Sequence, residues 1–559
     1  MKRVITAVCR LQLFCLGSWA IVGLSATDAS ASERADVLIR NGTVIDGTGA
    51  AARQTDISIR GGRIHQIGDL PHVSARVTLE AKGLIVCPGF IDLHSHADRG
   101  ILRHRAAENY VRQGVTTLLC GNCGSSPIDV AGFFEQVDSQ GTGLNIALLI
   151  GHGSVRQHVM GRANRPPTPT ELEQMKTLVR RSMQAGAAGM STSLRYGAGA
   201  YAKQDEIVAL AKQIAPYRGF YATHMRDEGT RILEAIEEAL MIGRKANVAV
   251  HISHHKISSV SAFGLTRQTL ARIEQARTAG RDVTLDQYPY GAGSGGVSLY
   301  APHWSLAGGL DAFRKRIQDA QKLESIHKSV RELLIRKLYH AGQNPQDPTA
   351  TREALGRIQI ARAAHEPQLE GQTLVGILRQ RRQQVTLDNG CRLLIELISH
   401  GVTGINHTLD AETGGDVDRV MQYPATCIAS DGSVFAFGEG HPHPRSYGCF
   451  PRVLSLYVRD RKQLTLEQAV HKMTSMPAQR LGYADRGRIA ERHWADLVVF
   501  DARAIRDVAS FTSPHKHSVG VEHVLVNGQF VLKSGKLTAS RPGHSLRRPT
   551  AAAQQPTQP

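Results

Sequence analysis

Aromatic residues are scarce in this chain, at 5% of 559 residues, and cysteine numbers only eight. So few thiols over such a length cannot form the framework of a small disulfide-stapled fold. A chain that is 42% hydrophobic and 21% charged is neither collagen-like nor low-complexity, and it has the apolar material for a large buried core. Acidic residues are in deficit: 49 Asp and Glu against 67 Lys and Arg give a net charge of +18 and a pI of ≈ 9.7. The excess is dispersed, with short clusters such as Arg379 to Arg382 and no long Lys/Arg run interleaved with aromatics. That pattern is a solvated surface and argues against a nucleic-acid partner.

Long apolar runs are also missing. One stretch of about 14 residues, Leu11 to Leu24, follows Lys2, Arg3 and Arg10 and precedes Ala29-Ser30-Ala31. It is short for a bilayer span and has the order of a secretory signal cleaved before Ser32. The expectation is residues 1–31 as signal peptide, a periplasmic or extracellular location, and no stable membrane insertion afterwards. Glycine, by contrast, is abundant at 54 residues, as a many-turned α/β protein requires.

Residues 36–86 read as short alternating strands punctuated by Asn41-Gly42, Asp46-Gly47 and Gly61-Gly62. The same texture returns at Asp496 to Phe500 and Val524 to Val531, so one small sheet domain is expected from both chain ends, residues 32–86 with 485–548. Residues 549–559, rich in Pro, Ala and Gln, read as a disordered tail. Between the ends, residues 87–484 alternate apolar strands with amphipathic stretches such as Thr170 to Ala185 and Thr230 to Ala246. The strands fall at 85–92, 116–119, 146–150, 189–192, 220–223, 248–252, 283–285 and 426–429. Eight β/α units predict a parallel barrel, with its chemistry at the carboxyl ends of the strands. The long gap before strand eight predicts an inserted subdomain at 301–371, a candidate cover for the barrel mouth, with a helical run at Asp311 to His340 and a strand at Arg357 to Ala361.

Several strand ends carry metal-ligand residue types. His94-Ser95-His96 ends the first strand, and side chains alternate, so both imidazoles face one way. Cys123 lies beyond strand two, His224 beyond strand five, His254 and His255 beyond strand six, and Asp431 beyond strand eight. Alone, each is also compatible with a hydrogen-bonded core histidine, a buried thiol or a turn aspartate. Together on one rim, imidazole, thiolate and carboxylate form a set suited to Zn²⁺. Cys120 and Cys123 form a Cys-x-x-Cys; a redox pair there would remove the thiolate, and Cys120, within the apolar strand run, reads as a buried thiol. His152, His255 and His407 read as supporting or core histidines.

The segment Pro88-Gly89-Phe90-Ile91-Asp92-Leu93-His94-Ser95-His96 resembles the signature of the amidohydrolase superfamily. The further segments are Gly121-Asn122-Cys123-Gly124, His224-Met225-Arg226-Asp227-Glu228, Ser253-His254-His255-Lys256, Asp286-Gln287-Tyr288-Pro289-Tyr290 and Ser430-Asp431-Gly432. With them the chain resembles the D-aminoacylase (N-acyl-D-amino-acid deacylase) family from about Ala35 to Arg548. The resemblance implies a distorted (β/α)8 barrel with a small β-sandwich and an insert before strand eight. It implies a tight zinc on Cys123, His224 and His254, and a weaker second position at His94, His96 and Asp431 with Cys123 as a possible bridge. Relatives with two firm metals carry a carboxylated lysine on strand four; Gly189-Met190-Ser191-Thr192-Ser193 has none.

The implied reaction is hydrolysis of a small-molecule N-acyl-D-amino acid to a D-amino acid and a carboxylate, with Asp431 as general base and acid. The resemblance also places Lys256, Tyr288 and Arg445 around the substrate carboxylate, where a guanidinium offers two-point recognition. A cyclic-amide hydrolase of the hydantoinase or dihydroorotase kind and an exported binding protein with a degenerate site are the competing readings.

Overall fold

The computed structural model describes residues 34–548. The expected signal peptide and carboxyl-terminal tail lie outside the described residues. No helix among the described residues is long and apolar enough to cross a membrane.

Both chain ends enter one hydrogen-bonded network of nine strands. The amino-terminal part supplies Ala35–Val44, Arg53–Arg60, Arg63–Gly68, Ala75–Glu80 and Ile85–Pro88. The carboxyl-terminal part supplies Leu497–Phe500, Val521–Val526, Gln529–Lys533 and Lys536–Leu537. The two parts meet where Ile85–Pro88 pairs antiparallel with Leu497–Phe500. Gly61-Gly62 and Asn527-Gly528 both take positive φ and close two-residue hairpins. Asn41-Gly42, expected as a turn, instead lies inside the continuous strand Ala35–Val44. Asn41 takes a φ of 58°, and the register skips between Ile39 and Gly42, a bulge that asparagine's tolerance of left-handed backbone permits.

The strand Ile85–Pro88 runs directly into the first of eight parallel strands. We number these β1 Phe90–Asp92, β2 Val115–Cys120, β3 Asn145–Leu148 (continued by Ile150–Gly151), β4 Gly189–Ser193, β5 Phe220–His224, β6 Ala249–Ile252, β7 Val283–Gln287 and β8 Thr426–Ile428. Each pairs parallel with the next. Just past the strand ends, a parallel bridge between Ser95 and Gly432 joins the last to the first. Asp431 N donates to His94 O at 2.8 Å and His96 N to Gly432 O at 2.7 Å. The hydrogen-bonded ring therefore closes at the residues that carry the chemistry. β5 and β8 are fully buried, as parallel strands covered on both faces must be.

Helices follow the strands with readable start and stop signals. Pro169–Gln184 begins with a capping box of Thr168 and Glu171 and a proline in its first turn, and Ile232–Ala246 ends at Asn247 with a φ of 54°.

The segment between β7 and β8 packs as a unit with its own apolar core, from Val297 to Val402. Three antiparallel strands, Gly293–Gly296, Thr403–Asn406 and Ile358–Arg362, are backed by helices that include Ala320–Leu338 and Leu387–Ser399. The packing runs past both ends of the expected 301–371 segment. The expected helical run from Asp311 is broken at Asp319, whose carboxylate caps a new helix by accepting from Gln321 N and Lys322 N.

Candidate metal centre

Donor atoms from five strand ends converge on the mouth of the ring. Cys123 Sγ lies 3.4 Å from His254 Nε2, 3.9 Å from His224 Nδ1 and 3.3 Å from His94 Nε2. His224 Nδ1 and His254 Nε2 are 2.9 Å apart. On the adjoining side, Asp431 Oδ1 is 3.1 Å from His96 Nε2 and 3.5 Å from His94 Nε2. Three groups thus gather donors within 4.8 Å: His94, Cys123 and His254; His94, His96 and Asp431; and His224, Glu228 and His254.

The backbone is forced into place to achieve this. Cys123, His254 and Asp431 have φ values of 52°, 35° and 50°, the left-handed region that non-glycine residues seldom adopt. Such strain persists only where the surroundings impose it, and it collects at functional sites. Two buried aspartates do part of that imposing. Asp286 Oδ1 accepts from His254 N at 2.8 Å, while its Oδ2 lies 3.2 Å from His94 Nδ1 and 2.8 Å from His251 Nε2. Asp92 Oδ1 accepts from His94 N and Ser430 N, both at 3.0 Å, tying β1 to β8.

The electrostatics put negative charge on the inward sulfur and carboxylate. Burial opposes ionisation of the Cys123 thiol, but the His94 and His254 imidazoles beside it outweigh burial and hold it well below an ordinary thiol. Burial likewise opposes ionisation of Asp431; Arg445, whose Nη1 is 2.8 Å from its Oδ2, and the nearby His254 and His94 keep it well below the usual carboxylate range. A thiolate, imidazoles and carboxylates in one buried cluster are the chemistry of a zinc site, so the residues present fit that ion.

Glu228 is the functional residue that sequence reasoning left without a role. Its Oε1 lies 3.0 Å from His254 Nδ1 and its Oε2 3.6 Å from His224 Nε2, so one carboxylate addresses the outer nitrogen of both imidazoles. Behind His254 the approach is a hydrogen-bond distance, and the carboxylate orients that ring. The signal was its place four residues after His224, within a motif already singled out.

Lys256, Tyr288 and Arg445 all line the same cavity as Cys123, His224, His254 and Asp431, a space of ≈ 760 Å³. Lys256 Nζ donates to Glu228 Oε1 at 2.8 Å and sits 2.7 Å from His254 Nδ1. The Arg445 guanidinium stacks 4.7 Å from the Tyr288 ring centroid. The Tyr288 hydroxyl is buried and has no hydrogen-bond partner among the described residues, and burial pushes its pKa up to about 12.

The remaining candidates have other partners. His152 Nε2 pairs with Glu206 at 2.9 Å, His255 Nε2 with Thr269 Oγ1 at 2.8 Å, and His407 Nε2 with Gln359 Oε1 at 3.1 Å. Neither Cys120 nor Cys123 is in a disulfide; Cys120 lies 3.6 Å from Ser95 Oγ, and burial raises its pKa.

A ring of parallel strands with thiolate, imidazole and carboxylate at its carboxyl rim defines a metal-dependent hydrolase of mixed α/β fold. The model of the amidohydrolase family matches residues 77–303 and 405–532, omitting most of the inserted unit. A D-aminoacylase of Alcaligenes xylosoxydans xylosoxydans is 34% identical over 93% of this chain and 99% of its own. The solved N-acyl-D-glutamate deacylase of Bordetella bronchiseptica, complexed with zinc and a phosphonate mimic of the tetrahedral intermediate, is 32% identical. It has a TM-score of 0.77 and aligns over 92% of this chain and 100% of its own. A D-aminoacylase structure concerned with its binuclear metal centre, with one-metal activation and second-metal attenuation, is 33% identical at the same TM-score and coverage. The chain belongs to the amidohydrolase family, in its D-aminoacylase (N-acyl-D-amino-acid deacylase) branch, and is a hydrolase.

Proposed function

We propose that this enzyme hydrolyses the amide bond of N-acyl-D-amino acids, releasing a D-amino acid and a carboxylate, with zinc as its cofactor. The observation that carries the reading is the mutual approach of Cys123 Sγ, His224 Nδ1 and His254 Nε2, within 3.9 Å of one another, on the wall of a cavity that also holds Asp431 and Arg445. Cys123, His224 and His254 hold the tighter ion; His94, His96 and Asp431 form the weaker position. The scaffold in this reading is a distorted (β/α)8 barrel with a β-sandwich from both chain ends and the inserted unit above the mouth.

A bound zinc supplies Lewis acidity, polarising the amide carbonyl and lowering the pKa of water from 15.7 towards ~7. Asp431, kept ionised by Arg445, accepts a proton from the attacking water and returns it to the leaving nitrogen. Arg445 and the unpartnered Tyr288 hydroxyl, with Lys256 beside them, receive the substrate's α-carboxylate. Glu228 and Asp286 hold the imidazoles in the orientation and tautomer that metal binding needs.

Paired N-acetyl-D- and N-acetyl-L-amino acids, assayed with zinc content measured in parallel, test the reading. Turnover confined to the D series by zinc-loaded protein is the expected result; turnover of cyclic amides or of L substrates alone would overturn it.

A further inference from the structure

Below the donor cluster, β6 and β7 put polar side chains where other strands put apolar ones. Val250, Ile252, Val283 and Leu285 belong to the core shared with the helices, so the alternation turns His251, Thr284 and Asp286 into the ring. Inward positions elsewhere carry Leu119, Ala147, Phe220, Ala222 and Cys427, packed as one apolar cluster. An imidazole in such surroundings costs free energy unless its hydrogen bonds are made.

His251 is fully buried, and both of its nitrogens are engaged. Its register partner is Thr284, whose Oγ1 lies 2.7 Å from Nδ1, while Nε2 lies 2.8 Å from Asp286 Oδ2. The directions follow from the chemistry. Burial lowers the pKa of His251 and keeps the ring neutral, and a carboxylate only accepts. His251 therefore donates from Nε2 to Asp286 and accepts the Thr284 hydroxyl at Nδ1.

The column matters most to His94. The outer nitrogen of His254 has Glu228 at 3.0 Å, whereas among the described residues the outer nitrogen of His94 has only Asp286, at 3.2 Å. The same Oδ2 takes both His94 Nδ1 and His251 Nε2, so whatever steadies that oxygen steadies the His94 ring.

We propose, resting on the zinc reading above, that His251, steadied by Thr284, is a positioning residue of the metal centre: it pins Asp286 and through it aims His94 at the weaker position. Zinc content by elemental analysis and zinc affinity by chelator competition, on the purified protein, test this. In His251→Leu, which suits the apolar interior, affinity at the weaker position is expected to fall by about 10–100-fold with the tighter ion retained. Thr284→Val should act in the same direction to a smaller degree. His251→Gln, which keeps a donor for Asp286, should recover most of the loss. With Asp286→Asn already in place, His251→Leu should add nothing, because its effect passes through that carboxylate.

A ring that merely fills space predicts the opposite. His251→Leu would then bind zinc like the wild type, and that result overturns the proposal, as does an additive loss in the Asp286→Asn background. Should His251→Leu fail to fold, Thr284→Val decides: weakened zinc supports the column, and affinities equal to wild type refute it. If the wild type holds a single ion, the two-position reading fails; affinity for that ion lowered in His251→Leu still supports the part given to His251, and unchanged affinity refutes it. A wild type that binds no zinc overturns the zinc reading and this proposal together.

Discussion

The two halves of the donor cluster are built on different principles. Around Cys123, His224 and His254, the inward atoms meet one another and His94 Nε2, and the supporting carboxylate, Glu228, sits behind the rings. Around His94, His96 and Asp431, a carboxylate shared by two imidazoles is also held by a guanidinium at 2.8 Å. A cation placed on Asp431 must compete with Arg445. On the proposed reading the first half retains the tighter ion, while the second keeps a carboxylate charged and in place.

Four substitutions would break or sharpen this contrast. Cys123→Ala is expected to have the largest effect, because it removes the soft donor shared by the cluster. Elemental analysis should find the zinc gone and hydrolysis at background, and full metal content with full activity would end the metal assignment. Asp431→Ala should lower kcat by roughly 10²–10⁴, the usual worth of general acid–base catalysis, while zinc stays bound. Simultaneous loss of zinc would place Asp431 in the retaining half instead.

Glu228→Gln keeps the shape but weakens the orientation of His224 and His254. Zinc affinity, measured by chelator competition, should fall by roughly 10–100-fold, as loss of a partner behind the ligands typically does. Arg445→Lys should have the smallest effect. An ammonium cannot match two-point recognition, so KM should rise by about tenfold with zinc content unchanged. A change in zinc content without a change in KM would assign Arg445 to the donor cluster rather than to the clamp.

Much of the rim was legible in the sequence because each parallel strand announces itself as a short apolar run and its chemistry lies within a few residues of its end. His94, Cys123, His224, His254 and Asp431 all have that address, and the ring brings them together. The inserted unit was harder to bound. Gly293–Gly296 has almost no side chains to give a strand pattern, and its partner Thr403–Asn406 lies over a hundred residues away. Glu228 was obscured for a different reason: a carboxylate in a polar loop reads as a solvated charge, and only the ring geometry turns it towards two imidazoles.

The pairing of Ile85–Pro88 with Leu497–Phe500 has a consequence for how the molecule is made. The strand that leads into the ring is clamped by one delivered some four hundred residues later, and Leu546 N then bonds Ile146 O of β3. During synthesis at 5–20 residues per second, that amounts to a wait on the order of 20–80 s before the early strands find their partner. Through that interval the newborn chain holds unpaired apolar edges, and a ribosome stalled or a message cut short before residue 500 leaves a product that chaperones must shield or proteases remove.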